Sequence, residues 1–401
     1  MVKTLRILMV APQPFFRPRG TPFSVLHRIR ALIRLGHTVE LVAYPFGESP
    51  VIDGLVIHRS GRPPGVRDVA IGPSPAKLLL DGPIFLKAFA LARTGRFDLL
   101  HTHEEAGAMG AWISRRCGLP HLYDMHSILS QQFANFARYN WSPVVALFRA
   151  LERFTLQGSD AAITVCPELY EHVIDSGYNR PVALIENSLE FDHPEYTEAD
   201  VAQLKSHLGL CGARAVVYTG TLESYQGLDL LVGSARAVLD RKPRVKFVIV
   251  GGTAAQIEAL EAECRAHGVA SAFVLVPSQP PERVPLYHRL ADVLITTRAR
   301  GTNTPLKIYQ YLRAGRPIVA TAIRSHTQVL DERSAELVEP TAPGVARGLI
   351  RVLENAEHAR SLALTSGRLA RERYSEQTYF DRLSSLLAEL FAGERAELGA
   401  D

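Results

Sequence analysis

The sequence has few cysteines, no long apolar run and little net charge. Its four cysteines are far apart and form no CxxC pair: Cys117, Cys166, Cys211 and Cys264. This usage argues against a disulfide framework or a structural zinc site and favours a reduced, cytoplasmic protein. No run of 18 or more apolar residues occurs, so we expect no membrane-spanning helix. The short apolar run at the start has no small-residue cleavage site after it, so we interpret it as a first strand rather than a signal peptide.

Basic and acidic residues are nearly balanced, with 45 lysines and arginines against 41 aspartates and glutamates. The net charge of +4 is too small to indicate a nucleic-acid partner. The charge is uneven, because residues 1–188 carry 20 basic against 15 acidic residues, whereas residues 189–401 carry 25 against 26. A basic first half fits peripheral contact with an anionic membrane, such as its inner face, or with an anionic acceptor. Ordinary variation in surface charge accounts for the same numbers equally well.

Buried strand patterns alternate with amphipathic helical patterns along the chain, which predicts an α/β protein with doubly wound parallel sheets. At 401 residues the chain is long enough for two such domains. In the first half the expected strands are Leu5–Val10, Thr38–Tyr44, Leu55–His58, Asp98–His103, His121–His126, Ala161–Val165 and Val182–Glu186. The expected helices there are Thr21–Leu35, Pro75–Arg93, Ala106–Arg116, Pro143–Gln157 and Glu168–Ser176.

The alternation restarts after a polar segment near residues 186–195. The expected strands of the second half are Ala215–Thr219, Val245–Gly251, Ala272–Val276, Asp292–Thr297 and Pro317–Thr321. Its expected helices are Asp200–Leu208, Leu228–Leu239, Ala254–His267, Glu282–Leu290 and Pro305–Ala314, followed by a helical tail from Ala342. We therefore predict two Rossmann-like domains, residues 1–188 and 189–374, and a C-terminal segment, 375–401, that is mostly helical. Two such domains facing each other would leave a cleft between them.

One stretch, Arg298–Thr321, carries the clearest signal for a binding site. It connects two expected strands through a short helix, with Thr304 expected as the N-cap and Pro305 as the first helical residue. A helix that begins at the carboxyl end of a parallel strand points unpaired backbone N–H groups into the ligand crevice, where they attract phosphate. Lys307 would add a mobile positive charge on the first turn. The stretch therefore predicts a phosphate or diphosphate site.

Several short motifs follow one another in a recognisable order. They are Leu5–Pro12 with Gly20, Gly36–Leu41, Asp98–His103, Asp124–His126, Asp160–Val165, Ile185–Asn187, Tyr218–Leu222 with Gln226–Gly227, Phe247–Gly252 and Tyr311–Ala320. In this order they resemble the retaining glycosyltransferases of family 4, which have the GT-B fold, over nearly the whole chain. The resemblance implies that the C-terminal half binds a nucleotide-sugar donor and the N-terminal half binds the acceptor. It also implies that the last helix crosses back to the N-terminal domain.

The chain departs from the family pattern at four positions that are usually charged. Thr221 and Gln226 stand in the loop where the family usually has an arginine and a lysine that hold the donor diphosphate. Thr302 and Gln310 stand where it usually has two glutamates. We expect the donor site to be altered rather than abolished. Gln310 retains an amide that can hydrogen-bond a ribose hydroxyl.

Lys307 is the expected replacement for one lost cation, and Arg298 and Arg300 are further candidates. The predicted donor-binding residues are Gly20, Thr221, Gln226, Arg298, Asn303, Thr304, Lys307 and Gln310. Pro277 and Ser278 are expected near the nucleobase. UDP is the favoured nucleotide.

The N-terminal half supplies further candidates. Gly20, in the loop after the first strand, is expected to let the backbone approach the donor phosphates, and Arg17 and Arg19 are expected on the acceptor side. The resemblance implies that His126, at a strand end, contacts the transferred sugar, and Asp124 would orient it. His126 and Lys307 are thus the expected catalytic residues. The alternatives remain an ordinary Pro/Gly-rich loop and a structural histidine.

We expect no metal ion and no cofactor besides the nucleotide-sugar substrate. His101 and His103 share a strand face, with Glu104 and Glu105 directly after them, but the spacing shows no third ligand. The Asp-x-Asp motif of metal-dependent glycosyltransferases is also absent.

The apolar segment Asp81–Gly95 allows two interpretations. A buried helix of the first domain is favoured over an amphipathic helix that rests on a bilayer or binds a lipid-linked acceptor.

The sequence thus predicts a metal-independent, retaining hexosyltransferase that uses a UDP-sugar and a glycan, lipid-linked or small-molecule acceptor. Two other classes stay open: a nucleotide-sugar epimerase, and a non-catalytic GT-B protein that assists another transferase.

Overall fold

The structure, a computed structural model, describes residues 4–17, 20–69, 75–128, 142–188 and 194–397. The chain forms two compact units. Unit 1 comprises Met1–Asn187 together with Gln377–Asp401, and unit 2 comprises Ser188–Glu376.

Unit 1 contains a seven-stranded sheet in which all strand pairs are parallel. Its strands are β1 (Arg6–Ala11), β2 (Thr38–Ala43), β3 (Leu55–Arg59), β4 (Leu99–His103), β5 (His121–Met125), β6 (Ala161–Thr164) and β7 (Val182–Leu184). They lie in the order β3-β2-β1-β4-β5-β6-β7. The central strands are buried along nearly their whole length, as expected when helices cover both faces of a parallel sheet.

The helices of unit 1 follow its strands along the chain. They are α1 (Gly20–Arg34), α2 (Pro75–Ala92), α3 (Ala106–Cys117), α4 (Ser142–Gln157) and α5 (Pro167–Asp175). Helix α2 buries one stripe, Leu80, Ile84, Ala88 and Ala92, and exposes the opposite one. The four-residue spacing of these side chains keeps them on one helix face.

Unit 2 contains a six-stranded sheet whose strand pairs are also all parallel. Its strands are β8 (Arg214–Thr219), β9 (Val245–Val250), β10 (Phe273–Val276), β11 (Val293–Thr296), β12 (Ile318–Thr321) and β13 (Glu336–Val338), in the order β10-β9-β8-β11-β12-β13. Two apolar clusters cover the two faces. Val216 packs in one and Val217 in the other, because successive strand residues point to opposite faces.

The helices of unit 2 are α6 (Glu198–His207), α7 (Leu228–Arg241), α8 (Ala254–Ala266), α9 (Val284–Leu290), α10 (Leu306–Ala314), α11 (Arg324–Thr327), α12 (Ala342–Glu354) and α13 (Ala356–Arg373). Two of them begin with a capping box. Thr197 accepts from the backbone of Asp200 before α6, and Thr253 does the same with Gln256 before α8.

The last helix, α14 (Glu376–Glu397), belongs almost entirely to unit 1. Its Tyr379 is buried and lies 5.1 Å from the guanidinium of Arg28 in α1. None of the helices in the described part of the chain combines the length and the apolar character needed to cross a bilayer.

The predicted α/β class with two Rossmann-like domains is confirmed. Strand β13 was missed, because three half-buried or buried residues make no recognisable run. The favoured interpretation of Asp81–Gly95 as a buried helix was incomplete, since α2 is buried on one side and exposed on the other.

Each sheet has one point where the strand order reverses. Strand β1 lies between β2 and β4, and β8 lies between β9 and β11. Successive crossovers leave such a central strand in opposite directions, which opens a crevice at its carboxyl end where ligands bind in folds of this kind. The ends of β1, β4, β8 and β11 are therefore where a site is expected.

Candidate functional site

In unit 2 the crevice lies beside the loop that follows β8. This loop begins with Gly220, where a Cβ atom would lie 2.7 Å from Nζ of Lys307. A side chain at residue 220 would push that ammonium group away. The glycine therefore lets the lysine on α10 reach the loop after β8.

Lys307 is buried, with 8% of its surface exposed. Its Nζ lies 3.7 Å from the centre of the Tyr218 ring and 3.4 Å from Oε1 of Gln226. Burial, together with the positive charge of Arg298, holds its pKa well below the ordinary lysine value. Among the described residues no carboxylate pairs with it. The charged form of this side chain is costly without a counter-ion, so the arrangement favours the arrival of an anion, which would stabilise the protonated amine.

Arg298, directly after β11 and Thr297, is a second cation of this site. Its Nε donates to the carbonyl of Arg300 at 2.7 Å and its Nη1 donates to the carbonyl of Asn303 at 2.9 Å. Its guanidinium carbon lies 5.3 Å from the centre of the Tyr225 ring. Burial lowers its pKa. These contacts hold the guanidinium without neutralising its charge, whereas Arg300 is exposed.

Helix α10 begins one residue later than predicted. Pro305 is its N-cap, with φ −64° and ψ 138°, and Leu306 is its first residue. The predicted N-cap, Thr304, is wrong because Oγ1 of this residue is buried without a hydrogen-bond partner. The expectation of a mobile Lys307 is also wrong, since this side chain is enclosed. Gln310, one turn further along the helix, is half-buried.

Two neutral residues of the loop contact each other. Nε2 of Gln226 lies 3.4 Å from Oγ1 of Thr221, and the Gln226 carbonyl accepts from Oγ1 of Thr297 at 3.1 Å. Gln226 is buried. Pro277 and Ser278 follow β10 and are exposed. The structure thus brings Thr221, Gln226, Arg298 and Lys307 to the carboxyl ends of β8 and β11.

In unit 1 a buried ion pair lies at the corresponding edge of the sheet. Nε of Arg28 donates to Oδ2 of Asp124 at 2.8 Å, and both side chains are almost completely buried. Burial alone would raise the pKa of Asp124, but the positive charge of Arg28 and the interactions with neighbouring histidines outweigh it and hold the pKa well below its ordinary value. Asp124 is therefore a carboxylate at neutral pH. No sequence signal marked Arg28, which lies within a helix remote from the motif of Asp124.

His126 follows β5 and contacts this carboxylate. Its Nε2 lies 3.2 Å from Oδ1 of Asp124 and 3.1 Å from Nδ1 of His103. The predicted orienting contact between Asp124 and His126 is thus geometrically present. Burial holds the pKa of His103 well below its ordinary value, so His103 is a neutral neighbour that can exchange a hydrogen bond with His126.

The structure also reveals a third candidate ligand that sequence spacing did not show. The ligand atoms of His101, His103 and Asp124 lie within 4.8 Å of one another, because β4 and β5 pair with His103 opposite Asp124. Arg28 already neutralises Asp124. A dication would therefore add charge beside a buried guanidinium, which argues against a metal here.

A group of acidic residues at the end of β4 was considered at the sequence level only for metal binding. Glu105 accepts from Nζ of Lys77 at 2.7 Å, and burial beside Glu104 raises the Glu105 pKa to about 7. Glu104 accepts from Oγ1 of Thr21 at 3.1 Å. Carboxylates at this edge can accept hydrogen bonds from hydroxyl groups. In the sequence, these carboxylates could have been recognised as site candidates by their position directly after a buried strand.

The remaining candidates of unit 1 lie around the start of α1. Gly20 is exposed and is the first residue of α1 rather than part of the preceding loop. Arg17 forms an ion pair with Asp68 at 2.7 Å, which reduces its availability for an acceptor. Arg19 lies outside the described residues.

Comparison with known proteins agrees with this architecture. Residues 19–188 match the family described as glycosyl transferase 4-like domain, and residues 213–355 match glycosyl transferases group 1. The chain is 23% identical to the D-inositol 3-phosphate glycosyltransferase of Mycobacteroides abscessus, over 84% of this chain and 79% of that protein. It is 24% identical to the protein of the same name from Xylanimonas cellulosilytica, over 93% and 91% of the two chains.

Solved structures show the same fold. The Anabaena protein Alr3699/HepE in complex with UDP superposes with a TM-score of 0.75 at 16% identity, covering 96% of this chain and 100% of that one. The sucrose-phosphate synthase of Thermosynechococcus elongatus superposes with a TM-score of 0.76 at 18% identity, covering 97% and 100%. Two Rossmann-like units with these neighbours define the GT-B fold. The chain belongs to glycosyltransferase family 4.

Proposed function

We propose that the protein transfers a hexosyl group from a UDP-sugar to a glycan, lipid-linked or small-molecule acceptor, with retention of the anomeric configuration. The observation that carries the donor assignment is the buried ammonium group of Lys307, which has no carboxylate partner in the described structure and lies beside Gly220. A nucleoside diphosphate supplies the missing negative charge.

The position of Lys307 supports the proposal that this lysine replaces one of the cations that the family usually has in the loop after β8. The usual cations of the loop after β8 are replaced by Thr221 and Gln226, but Nζ of Lys307 reaches this loop from α10 and lies 3.4 Å from Gln226. Arg298 adds a second positive charge, which is close enough to lower the pKa of Lys307. The first amides of α10 add the partial positive charge of a helix N-terminus. In this proposal these three elements hold the diphosphate.

The UDP preference comes from Alr3699/HepE, which has been solved with UDP and with UDP-glucose. Pro277 and Ser278, exposed after β10, are the proposed contacts of the nucleobase. Gln310, on α10, is the proposed ribose contact.

The proposed reaction breaks the bond between the anomeric carbon and the diphosphate and forms a bond from that carbon to the acceptor oxygen on the same face. The acceptor proton passes to an oxygen of the leaving diphosphate. Positive groups stabilise the charge that builds on this leaving group, and His126, oriented by Asp124, contacts the sugar as its positive character develops. The step needs no metal ion and no carboxylate nucleophile.

The donor assignment is tested by calorimetric titration with UDP-glucose, GDP-mannose and ADP-glucose. We expect UDP-glucose to bind and Lys307→Met to weaken binding about 10- to 100-fold, because a hydrogen bond to a charged group contributes about 1.5–3 kcal/mol. Lys242→Ala removes a surface lysine paired with Glu354 at 3.8 Å and should leave binding unchanged. Unchanged affinity or donor turnover in Lys307→Met and Lys307→Ala would show that the diphosphate site is wrong. Failure of all three donors to bind the unsubstituted protein would favour a non-catalytic role.

Retention is tested separately by following the anomeric proton of the product by NMR. The proposal expects the product to have the configuration of the donor. Inversion would exclude the same-face reaction, and a changed sugar without any acceptor would indicate an epimerase.

A further inference from the structure

Three neighbouring helices of unit 1 form a continuous outer surface. The Trp112 ring of α3 lies 5.3 Å from Phe85 and 5.2 Å from Phe89, both on α2. On its other side α3 contacts α4, where the guanidinium of Arg115 lies 5.1 Å from the Phe154 ring. We refer to the solvent side of α2, α3 and α4 as the outer helical face.

Large apolar side chains are concentrated on this face. In the described part of the chain eleven large apolar residues are exposed, and six of them lie here: Leu78, Leu79, Leu86, Trp112, Leu147 and Leu151. Leu78 exposes 77% of its surface and Leu86 exposes 65%. A cluster of this kind marks an interaction site more often than scattered single residues do.

The charged residues of the same face all have one sign. Its exposed charged side chains are Lys87, Arg93, Arg115, Arg116, Arg149 and Arg153, the second of these directly after α2. Both acidic residues of these helices have partners inside unit 1. Asp81 accepts from the hydroxyl of Tyr44 at 2.7 Å, and Glu152 is buried against His172. The face therefore presents apolar and basic groups without a carboxylate in its described, exposed part.

We propose that the outer helical face docks on an anionic bilayer. Phospholipid headgroups supply the negative charge that complements six basic side chains, and the acyl region just below them accepts leucine and tryptophan side chains. A protein partner that is merely acidic would leave the apolar residues without a role. The helices lie on the membrane surface and do not cross it. This inference goes beyond glycosyl transfer and does not depend on which donor or acceptor is used.

The test is sedimentation of the full-length protein with vesicles. Phosphatidylcholine vesicles that contain phosphatidylglycerol should carry the protein into the pellet, and vesicles of phosphatidylcholine alone should not. Raised salt should reduce binding to the anionic vesicles, because surface charges are screened. Equal binding to both vesicle types, or to neither, would overturn the proposal.

A pair of variants assigns the binding to this face. Leu147→Ser with Arg153→Gln removes one apolar and one basic group from α4, and should weaken vesicle binding about tenfold or more. The matched control, Leu364→Ser with Arg368→Gln, removes an exposed leucine and an exposed arginine from α13 and should bind normally. An equal loss in both double variants would overturn the assignment.

Two further measurements distinguish membrane docking from misfolding and from self-association. The thermal unfolding midpoint and UDP-glucose affinity should be unchanged in the α4 variant, which shows that the fold and the proposed donor site are intact. If the unsubstituted protein instead forms dimers that the α4 substitutions dissociate, and vesicles add nothing, the face is a contact between copies of the chain and the membrane proposal is wrong.

Discussion

At the scale of single residues, the structure is dominated by buried charges that serve different purposes. Arg28 and Asp124 neutralise each other at 2.8 Å. Lys307 has no such partner in the described structure and is held by an aromatic ring and an amide oxygen. A buried ion pair can fix the positions of its two side chains, whereas a buried basic group without a counter-ion favours the binding of an anionic ligand.

The pairing of Arg28 with Asp124 predicts strongly non-additive stability. Arg28→Met leaves a buried carboxylate without its main partner and should destabilise unit 1 by about 3–5 kcal/mol. Adding Asp124→Asn should recover part of this loss, because the second change removes the uncompensated charge. Urea unfolding followed through tryptophan fluorescence measures both, since the two tryptophans of the chain, Trp112 and Trp141, belong to unit 1. A double variant whose loss equals the sum of the two single losses would show that the pair is not coupled.

The sequence predicted that one group of residues lies together where a loop and a helix start meet at a strand end. Thr221, Gln226, Arg298 and Lys307 were expected together and are found together. The burial of Lys307 was not predictable, because it depends on the Tyr218 ring of β8 and on the missing side chain of Gly220. The N-cap assignment of Thr304 failed because Pro305 itself adopts the extended N-cap conformation.

At the scale of elements, the turn between β8 and α7 fixes the position of the loop after β8. Gly227 has φ +67°, and a Cβ atom there would lie 2.2 Å from the carbonyl oxygen of Thr297. The loop after β8 is therefore packed directly on the end of β11, so that its residues and Arg298 share one location.

This close approach predicts a difference between two glycines with the same backbone conformation. Gly209 has φ +65° but has no atom within 4 Å of its Cβ position. Each Gly→Ala change costs about 1–2 kcal/mol for the left-handed conformation. Gly227→Ala should cost about 1–3 kcal/mol more, because the added methyl group displaces the Thr297 carbonyl. Hydrogen exchange of peptides from β8 and β11 measures the difference, and equal losses at the two positions would contradict it.

Most strands were predictable to within two residues because both faces of a parallel sheet are buried and the strands read as apolar runs. Strand β13 was missed because its pairing with β12, rather than its composition, defines it. Strand order was not predictable from apolar patterns, which carry no information about which strand lies beside which.

At the scale of the whole molecule, neutral buried histidines link stability to pH. In unit 2, burial and the charge of Lys307 lower the pKa of His288 to about 3, and burial lowers that of His326 to about 4. His288 lies 3.0 Å from Oγ1 of Thr219, and His326 lies 3.3 Å from Oγ1 of Thr296, at the ends of β8 and β11.

Acidification should therefore destabilise unit 2. Below pH about 6.5 the unfolded chain binds protons at both histidines. In the folded unit His326 stays neutral down to about pH 4 and His288 down to about pH 3. The unfolding free energy should fall by about 3 kcal/mol between pH 6.5 and 5, since each histidine contributes about half of 1.4 kcal/mol per pH unit near pH 6.5 and nearly the full amount towards pH 5. Hydrogen exchange of unit 2 peptides measures this loss. His288→Gln with His326→Gln should flatten the pH dependence, whereas the exposed His207→Gln should not, and a pH-independent unit 2 would contradict the assignment.

The return of α14 to unit 1 has a consequence for biosynthesis. Tyr379 packs over Arg28, so unit 1 needs residues that the ribosome adds only after the whole of unit 2. Unit 2 is continuous in sequence and can fold as soon as its own segment has emerged, whereas unit 1 must wait until α14 has been synthesised. The order of synthesis and the order of completion are thus reversed, and the nascent chain keeps its amino-terminal half unfinished while the later half is already folded.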